Sequence, residues 1–228
     1  MTDTVLRMNS VSIRYDANGP AVLQDVSLCV RRGERVALVG LNGSGKTSLL
    51  LAIVGLVHHD GNVEVRGEPV SPSRLKQVRG SVGYVFNVPE DQLLLPTVID
   101  DVAFGLVQRG VDKVRARQHA QTWLDRLGIG HLADAAVYRL SHGQKQRVAL
   151  AGALVTEPCL VLLDEPSAAL DPPSRRALAT VLTSLDAAMV IATHDMDFAE
   201  RVCTKFVLLD GGGIAHVTTD ASVLRQRL

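Results

Sequence analysis

The chain has 228 residues, of which 46% are apolar and 21% charged, and its formal net charge is zero. This length allows one large α/β domain or two small ones, and the neutral balance argues against a broad nucleic-acid-binding surface. We find no apolar run of the roughly 18 residues that cross a bilayer, and no signal peptide after Met1. Cys29, Cys159 and Cys203 lack Cys-x-x-Cys spacing. We therefore expect a cytosolic protein whose cysteines are small buried residues.

Two strands are predicted near the N-terminus. Val5–Tyr15 alternates imperfectly and runs into the turn Asp16–Pro20. Val22–Val30 alternates more regularly, with Ser27 and Cys29 on its polar face. A short antiparallel sheet is therefore predicted ahead of the rest of the chain.

The most informative segment of the sequence is Gly40–Thr47, which reads GLNGSGKT. It satisfies the phosphate-loop pattern, and it lies between an apolar strand at Arg35–Val39 and a helical run at Ser48–Leu56. Its glycines let backbone N–H groups curl around phosphate oxygens at a helix N-terminus. Lys46 would reach the outer phosphates and the Thr47 hydroxyl would bind Mg²⁺. The predicted nucleotide-binding residues are Gly40, Asn42, Gly43, Ser44, Gly45, Lys46, Thr47 and Ser48.

Two features on either side of the phosphate loop in the sequence can be interpreted in more than one way. The Tyr15 ring, at the end of the first predicted strand, could stack on adenine or pack on the sheet, and spacing favours neither. His58 and His59 lie in a predicted turn, His58–Gly61. Because no third ligand follows at a recognisable spacing, we expect solvated loop histidines rather than a metal site. Asn62–Arg66 is predicted as the next strand.

A helical block interrupts the alternation of strands and helices. Ser81–Phe86 predicts a strand that runs into Asn87–Gln92, a segment too polar for the core and typical of a functional loop. From Val98 to Leu140 the apolar spacing is helical, with Gly128 where a C-terminal cap belongs. We expect this block to form a helical subdomain inserted into the core.

The next segments carry further candidate site residues. Ser141 and Gln144 have the spacing of a capping box at the start of a helix that continues through Lys145–Val155. Such a helix tip is another anion site. The remaining predicted elements are the loop Ser167–Asp171, a helix from Pro173 and a last strand, Lys205–Leu209, that runs into the turn Gly211–Gly213.

Two buried strands are predicted to end in charged side chains. Cys159–Leu163 is continuously apolar, as in a strand buried on both faces, and it ends in Asp164 and Glu165. Met189–Thr193 has the same character and ends in His194. Ligands bind at this end of the strands in open parallel sheets, so we expect the two carboxylates, Asp164 and Glu165, to have a function there.

Together these motifs resemble the ATP-binding cassette family, the ATPase subunits of ABC transporters. Phosphate loop, Asn87 loop, Leu140–Gln144 signature, Asp164-Glu165 pair and His194 occur in the family's order, over nearly the whole chain. The resemblance implies an α/β, P-loop NTPase fold: a RecA-like parallel core, an N-terminal antiparallel β subdomain and an inserted helical subdomain. It implies one domain over 1–228, with the core at 1–87 and 156–228 and the helical subdomain at about 88–155.

The resemblance also implies an ATPase that uses Mg²⁺. Thr47, Asp164 and Asn87 would hold the metal, Glu165 would orient and deprotonate the lytic water, and His194 would contact the γ-phosphate; Lys46 would act on the outer phosphates. The signature residues are Ser141, His142, Gly143 and Gln144. They would complete the site of the other subunit in a head-to-tail dimer, with the Ser141 and Gly143 amides covering its γ-phosphate.

Two residues depart from the family pattern. Asn87 stands where the family has glutamine, so its contact with Mg²⁺ would be water-bridged or would need a loop shift. Gln92 is not a simple substitute, because related proteins have a glutamine there as well. His142 replaces a glycine of the signature, and it could add a hydrogen bond or point away.

A narrower resemblance, carried by Val85–Leu93, Pro96–Val98 and Asp101–Gly105, is to the energy-coupling-factor subgroup. That subgroup imports cobalt, nickel or vitamins such as biotin; the Ser-His-Gly-Gln variant followed by Ala151–Leu154 occurs notably among its metal importers. It implies a dimer with itself or a sister ATPase, at the cytoplasmic face of the cell membrane. Its partners would be a transmembrane coupling subunit, docked beside Asn87, and a substrate-binding membrane subunit.

Two other functions compete with an import motor. A soluble cassette ATPase acting on DNA, ribosomes or iron–sulfur assembly would usually carry long coiled-coil inserts, paired cassettes or basic arms, and the sequence has none. No nucleic-acid partner is expected. A small-molecule kinase would share the phosphate loop, but the Leu140–Gln144 signature argues against it.

Overall fold

A computed structural model describes residues 3–16, 19–168 and 170–225. The strands are β1 (Thr4–Ile13), β2 (Leu23–Arg31), β3 (Arg35–Val39), β4 (His59–Val65), β5 (Glu68–Pro69), β6 (Val82–Val85), β7 (Leu160–Asp164), β8 (Ala188–Ala192), β9 (Lys205–Asp210) and β10 (Gly213–Thr218). The helices are α1 (Lys46–Ile53), α2 (Leu75–Gly80), α3 (Val98–Gln108), α4 (Lys113–Arg126), α5 (His142–Leu154), α6 (Pro172–Thr183), α7 (Met196–Val202) and α8 (Ser222–Arg225). Ala17 and Asn18 of the predicted turn, and Ala169 of the predicted loop, lie outside the described residues.

The central sheet has six strands in the order β10-β9-β3-β8-β7-β6. Every pairing from β9 to β6 is parallel, and only β10 runs antiparallel to its neighbour. All residues of β7 and β8 are buried, which is why both read as unbroken apolar runs in the sequence. The parallel core predicted from those runs is confirmed.

A second sheet, in the order β2-β1-β4-β5, is antiparallel and packs its apolar face on the phosphate-loop helix. The turn predicted at His58–Gly61 is wrong, because β4 already begins at His59. A Cβ on Gly61 would lie 2.3 Å from the Ser10 carbonyl oxygen, where the register between β1 and β4 shifts. The glycine therefore serves a close approach of two strands, which in sequence looks the same as a turn.

Three further predictions need correction. Lys205–Leu209 is not the last strand, because β10 follows; the residues of β10 are all half-exposed or exposed, and its register with β9 shifts between Ile214 and His216. Cys29 is exposed, since it alternates with buried neighbours on β2, while Cys159 is half-buried and only Cys203 is buried. Tyr15 does not end β1, which stops at Ile13.

The helices α3, α4 and α5 pack on one another and on the β6–β7 side of the central sheet. Ala120 and Leu124 are fully buried, Trp123 is nearly so, and Gly128 adopts φ 69° directly after the C-cap Leu127. The predicted amphipathic face and its glycine cap are thus confirmed, as is the helical insertion. No helix in the described ranges is both long and apolar enough to span a bilayer.

Candidate functional site

The phosphate loop occupies the turn between β3 and α1, as predicted, although the helix starts at Lys46 rather than Ser48. Gly45 has φ 94°, and a Cβ there would lie 2.8 Å from the Leu23 side chain. Gly43 has φ 83°, and a Cβ there would meet no atom within 4 Å. The loop is thus fixed against the β2 side at one glycine and open at another, so a ligand can approach its backbone.

Lys46 lies inside the loop. Its side chain is buried, and Nζ donates to the carbonyl oxygens of Gly40 at 2.8 Å and Leu41 at 3.1 Å. The hydroxyl of Ser44 is buried without a hydrogen-bond partner among the described residues. A cation and an unsatisfied hydroxyl enclosed by a loop at a helix N-terminus fit a phosphate group.

Thr47 and Asp164 form the first of two side-chain pairs in the site. The Thr47 hydroxyl donates to Asp164 Oδ2 at 2.8 Å, and Asp164 is only 2% exposed. Burial raises the pKa of Asp164, the Thr47 hydrogen bond opposes that shift, and the nearby Glu165 charge adds to it. A buried carboxylate beside a hydroxyl supplies the hard oxygen ligands that Mg²⁺ prefers, so these residues fit the metal.

Glu165 and His194 form the second side-chain pair. His194 Nδ1 lies 3.0 Å from Glu165 Oε2, and that oxygen is buried without a hydrogen bond of good geometry among the described residues. Glu165 has φ 50°, an unfavourable conformation for a residue with a side chain, and its N–H donates to the Ala192 carbonyl at 2.9 Å. Such strain is typical of functional positions. A carboxylate with spare hydrogen-bonding capacity can hold a water molecule.

The order of the strands explains why these pairs meet. β3, β8, β7 and β6 are consecutive neighbours in the sheet, and each ends at the same edge. They deliver, in that order, the phosphate loop, His194, the Asp164–Glu165 pair and Asn87. Asn87 is exposed just beyond the end of β6. The structure thus gathers at one edge most of the residues that the sequence singled out.

Gln92 has a role that the sequence did not reveal. Its Oε1 accepts from the Phe86 N–H at 2.9 Å, and its Nε2 donates to the Ala149 carbonyl of α5 at 3.3 Å. The side chain is therefore occupied in fastening the loop that carries Asn87 to α5, and it does not stand in for the missing glutamine. No local pattern signals this, because the partner Ala149 is distant in sequence.

The signature segment forms the N-terminus of α5. Ser141 caps the helix in a full capping box with Gln144. In the single chain the Ser141 N–H donates to Gln144 Oε1 at 2.8 Å, so its expected contact with a partner's γ-phosphate stays a prediction that requires exchange of this bond. Gly143 lies in the first turn of α5, where a helix leaves the backbone N–H groups without intrahelical partners, so its N–H is available to an anion.

His142 turns toward the Asn87 loop. Its Nδ1 lies 3.7 Å from Glu90 Oε2, and Lys145 Nζ donates to Glu90 Oε1 at 2.8 Å. The Lys145 hydrogen bond is the main cause that lowers the pKa of Glu90, with a smaller effect from His142. The 3.7 Å approach to Glu90 is longer than a hydrogen bond, and a contact of His142 with phosphate stays a prediction.

Two open readings from the sequence can now be compared with the geometry. The Tyr15 ring is 61% exposed, so it does not pack into the core, and its hydroxyl lies 2.9 Å from Ser48 Oγ. Stacking on adenine stays a prediction. His58 and His59 belong to no cluster of three metal-ligating side chains in the described part of the chain.

The family model and the related sequences all point to one family. A sequence model of the ABC transporter family matches residues 23–168. A Gloeobacter violaceus protein, provisionally named an ABC transporter ATP-binding protein, is 44% identical over 214 residues, covering 92% of this chain and 88% of that protein. The energy-coupling factor transporter ATP-binding protein EcfA2 of Methanospirillum hungatei is 36% identical over 218 residues, covering 93% of this chain and 54% of that protein.

Solved structures agree. CbiO1 of Clostridium perfringens, part of the ABC transporter complex CbiONQ, has a TM-score of 0.87 at 32% identity, covering 99% of this chain and 92% of that one. The dimeric ATP-binding cassette MJ0796, bound to ADP and phosphate, has a TM-score of 0.85 at 25% identity, covering 94% of this chain and 98% of that one. These likenesses favour an ABC transporter ATPase over the small-molecule kinase. The chain belongs to the ABC transporter family, as one of its ATP-binding subunits.

Proposed function

We propose that this chain is the ATP-hydrolysing subunit of an energy-coupling-factor-type ABC importer that takes up a divalent transition metal, cobalt or nickel. The likeness to EcfA2 supports the energy-coupling-factor type. The Ser-His-Gly-Gln signature followed by Ala151–Leu154, which resembles the metal importers of that subgroup, favours a metal over a vitamin such as biotin. The subunit would act at the cytoplasmic face of the membrane, bound to its partners there.

The observation that carries hydrolysis is the meeting of two side-chain pairs at one sheet edge, Thr47 with Asp164 and Glu165 with His194. Cleaving ATP to ADP and phosphate requires positioning and charge stabilisation more than covalent chemistry from the protein. Thr47, Asp164 and Asn87 would hold Mg²⁺, which when bound neutralises charge on the phosphates.

The reacting water would be held by Glu165. This carboxylate has one buried oxygen without a hydrogen bond among the described residues, so it can orient a water molecule and accept its proton. His194, with a side chain 64% exposed, is free to reach the γ-phosphate from the neighbouring loop. Lys46 would exchange its loop carbonyl contacts for the outer phosphates.

The site would be completed by a second chain. The signature lies on α5, in the proposed helical subdomain (88–155), and no hydrogen bond or ion pair among the described residues joins Ser141–Gln144 to the phosphate loop. A head-to-tail dimer, with itself or a sister ATPase, would bring the tip of α5 onto the partner's γ-phosphate, where the helix dipole adds attraction. The dimeric state of the MJ0796 cassette supports this arrangement. The proposed core, 1–87 and 156–228, would then move relative to this subdomain.

A groove beside the Asn87 loop suits the membrane partner. A cleft of about 260 Å³ opens between β6, α3 and α5 and includes Gln92, Phe104 and Arg109. Val88, Leu94, Phe104 and Val107 are exposed apolar residues of this region. Apolar side chains exposed together beside a cleft are typical of a protein-binding surface. We assign it to a helix of the transmembrane coupling subunit.

Purification and transport test this function. The tagged chain, co-expressed with candidate membrane subunits, is expected to retain a coupling and a substrate-binding protein. Reconstituted vesicles are then expected to accumulate labelled cobalt or nickel with ATP, and not biotin. Biotin uptake would support the vitamin alternative instead. An ATPase that retains no membrane protein would support a soluble cassette ATPase and contradict the importer.

A further inference from the structure

Asp195 follows His194 directly and lies where three elements meet. Its Oδ2 is 2.9 Å from Arg175 Nη1 and accepts a hydrogen bond from the Ser167 hydroxyl at 3.3 Å. Its Oδ1 accepts from the Phe198 N–H at 3.0 Å and so caps α7. One carboxylate therefore joins the loop after β7, the helix α6 and the start of α7.

The contact of Asp195 with Ser167 is largely shielded from water, whereas the Arg175 side chain is 37% exposed. Ser167 is 1% exposed and the Asp195 side chain 17%. The Asp195 N–H donates to Thr193 Oγ1 at 3.0 Å, and Thr193 is fully buried. Hydrogen bonds to a charged group in such surroundings are stronger and more directional than surface ion pairs. The position of Asp195 is thus well determined.

The same two loops also meet at the proposed catalytic pair. Glu165 lies two residues before Ser167, and His194 lies one residue before Asp195, so the contacts Glu165–His194 and Ser167–Asp195 run side by side between the loops. The His194 imidazole is mostly exposed and contacts Glu165 without good hydrogen-bond geometry. That contact alone would leave the ring free to turn away. The second contact fixes the spacing of the loops.

We propose that Asp195 is a positioning residue for the reaction: it holds the loop after β8 against the loop after β7, so that His194 stays beside Glu165. Asp195 acts through Ser167 and Arg175 and touches no reacting atom. The inference rests on the proposed ATP hydrolysis, and it adds a residue that the family motifs quoted above do not include.

The main test is Asp195→Asn. Asparagine is as good an N-cap as aspartate, so α7 keeps its cap, but the charge that meets Arg175 is lost. We expect kcat to fall about tenfold, with the KM for ATP unchanged. The matched control is Asp112→Asn, which makes the same change at the N-cap of α4, whose side chain accepts from two backbone N–H groups. The control should leave kcat unchanged.

A double-mutant cycle separates positioning from a general loss of structure. If Asp195 acts through His194, Asp195→Asn should add little to the loss already caused by His194→Ala. An additional tenfold loss in the His194→Ala background, or an unchanged kcat in Asp195→Asn alone, would overturn the inference. Ser167→Ala should cause a smaller loss of kcat that does not add to that of Asp195→Asn.

A second measurement does not depend on ATP hydrolysis. Amide hydrogen exchange of Glu165, whose N–H is bound to Ala192, and of Asp195, whose N–H is bound to Thr193, should be faster in Asp195→Asn and unchanged in Asp112→Asn. Equal exchange in all three proteins would contradict the inference. A wild-type chain with no ATPase activity but with this exchange difference would instead contradict the proposed function alone.

Discussion

The two parts of the proposed nucleotide site are held in different ways. At the sheet edge the phosphate-loop lysine and the Thr47–Asp164 pair are held inside the chain: Asp164 is 2% exposed and accepts from Thr47, and Lys46 is 7% exposed inside the loop. His194 and Asn87 at the same edge are exposed. At the tip of α5 the contacts are at the surface, where Glu90 is 43% exposed and His142 47%. The sheet edge is therefore assembled within the single chain, and none of the contacts described above joins the α5 tip to it.

This difference fits a motor that closes and opens. Buried pairs keep their geometry through each cycle, so the sheet edge is ready when nucleotide arrives. The α5 tip contacts Glu90 of the same subdomain through exposed pairs that adjust easily. It can therefore move with the helical subdomain toward a partner's phosphate and leave after cleavage. We infer that the sheet edge, which carries the proposed chemistry, is held rigidly, and that the α5 tip, which forms the proposed interface, can adjust.

Glu165→Gln should have the largest effect, because it removes the proposed base and leaves the buried shape almost unchanged. We expect kcat to fall at least about a hundredfold while ATP still binds, so that an ATP-bound dimer accumulates. Steady-state phosphate release and size-exclusion chromatography measure both effects.

The matched control for that variant is Glu157→Gln. Glu157 also has φ 50°, but it lies in the loop before β7, at the opposite edge of the sheet. It should hydrolyse ATP at the wild-type rate. Normal hydrolysis by Glu165→Gln would show that the sheet edge does not supply the chemistry of the site.

The sheet edge was also the part that the sequence predicted best. Its strands are unbroken apolar runs, and their last residues reach one edge because parallel strands end there together. The fastening of the Asn87 loop could not be predicted, since Gln92 and Glu90 find their partners on α5. Gly61 was misread as a turn because a close approach between strands leaves the same local signature.

Ser141→Ala should have the next largest effect, and mixing experiments show which chain it serves. We expect roughly a tenfold loss of kcat, since the variant loses a cap and its polar tip together. Lys46→Ala should be inactive. In a mixed dimer of the two variants, one site has both lesions and the other has none. Because about half of the dimers in an equal mixture are mixed, activity should rise to roughly a quarter of the wild-type value.

The control mixture uses two lesions from the same half. Glu165→Gln and Lys46→Ala both affect the sheet edge of their own chain, so every site in their mixed dimer is damaged and no activity should return. A mixture of Ser141→Ala and Lys46→Ala whose activity does not rise above that of Ser141→Ala alone would mean that the α5 tip serves its own chain, and the comparison drawn above would fail.

Glu90→Gln should have the smallest effect, because it removes an exposed contact. At pH 7 we expect it to destabilise the chain by about 0.2–1 kcal/mol in urea unfolding, and to lower kcat no more than about threefold. The pKa of Glu90 lies below its ordinary 4.5, chiefly because of Lys145. The stabilisation is therefore complete above that value and lost as the pH falls through the lower folded pKa, so the two proteins should converge in acid.

Glu68→Gln is the control for Glu90→Gln, because Glu68 forms a surface pair with Arg74 at 3.8 Å, outside the helical subdomain. It should leave kcat unchanged, whereas Glu90→Gln should affect it slightly through the loop that carries Asn87. A tenfold loss in Glu90→Gln would mean that the α5 tip is held as firmly as the sheet edge. The division between a sheet edge that is held rigidly and an interface that can adjust would then have to be abandoned.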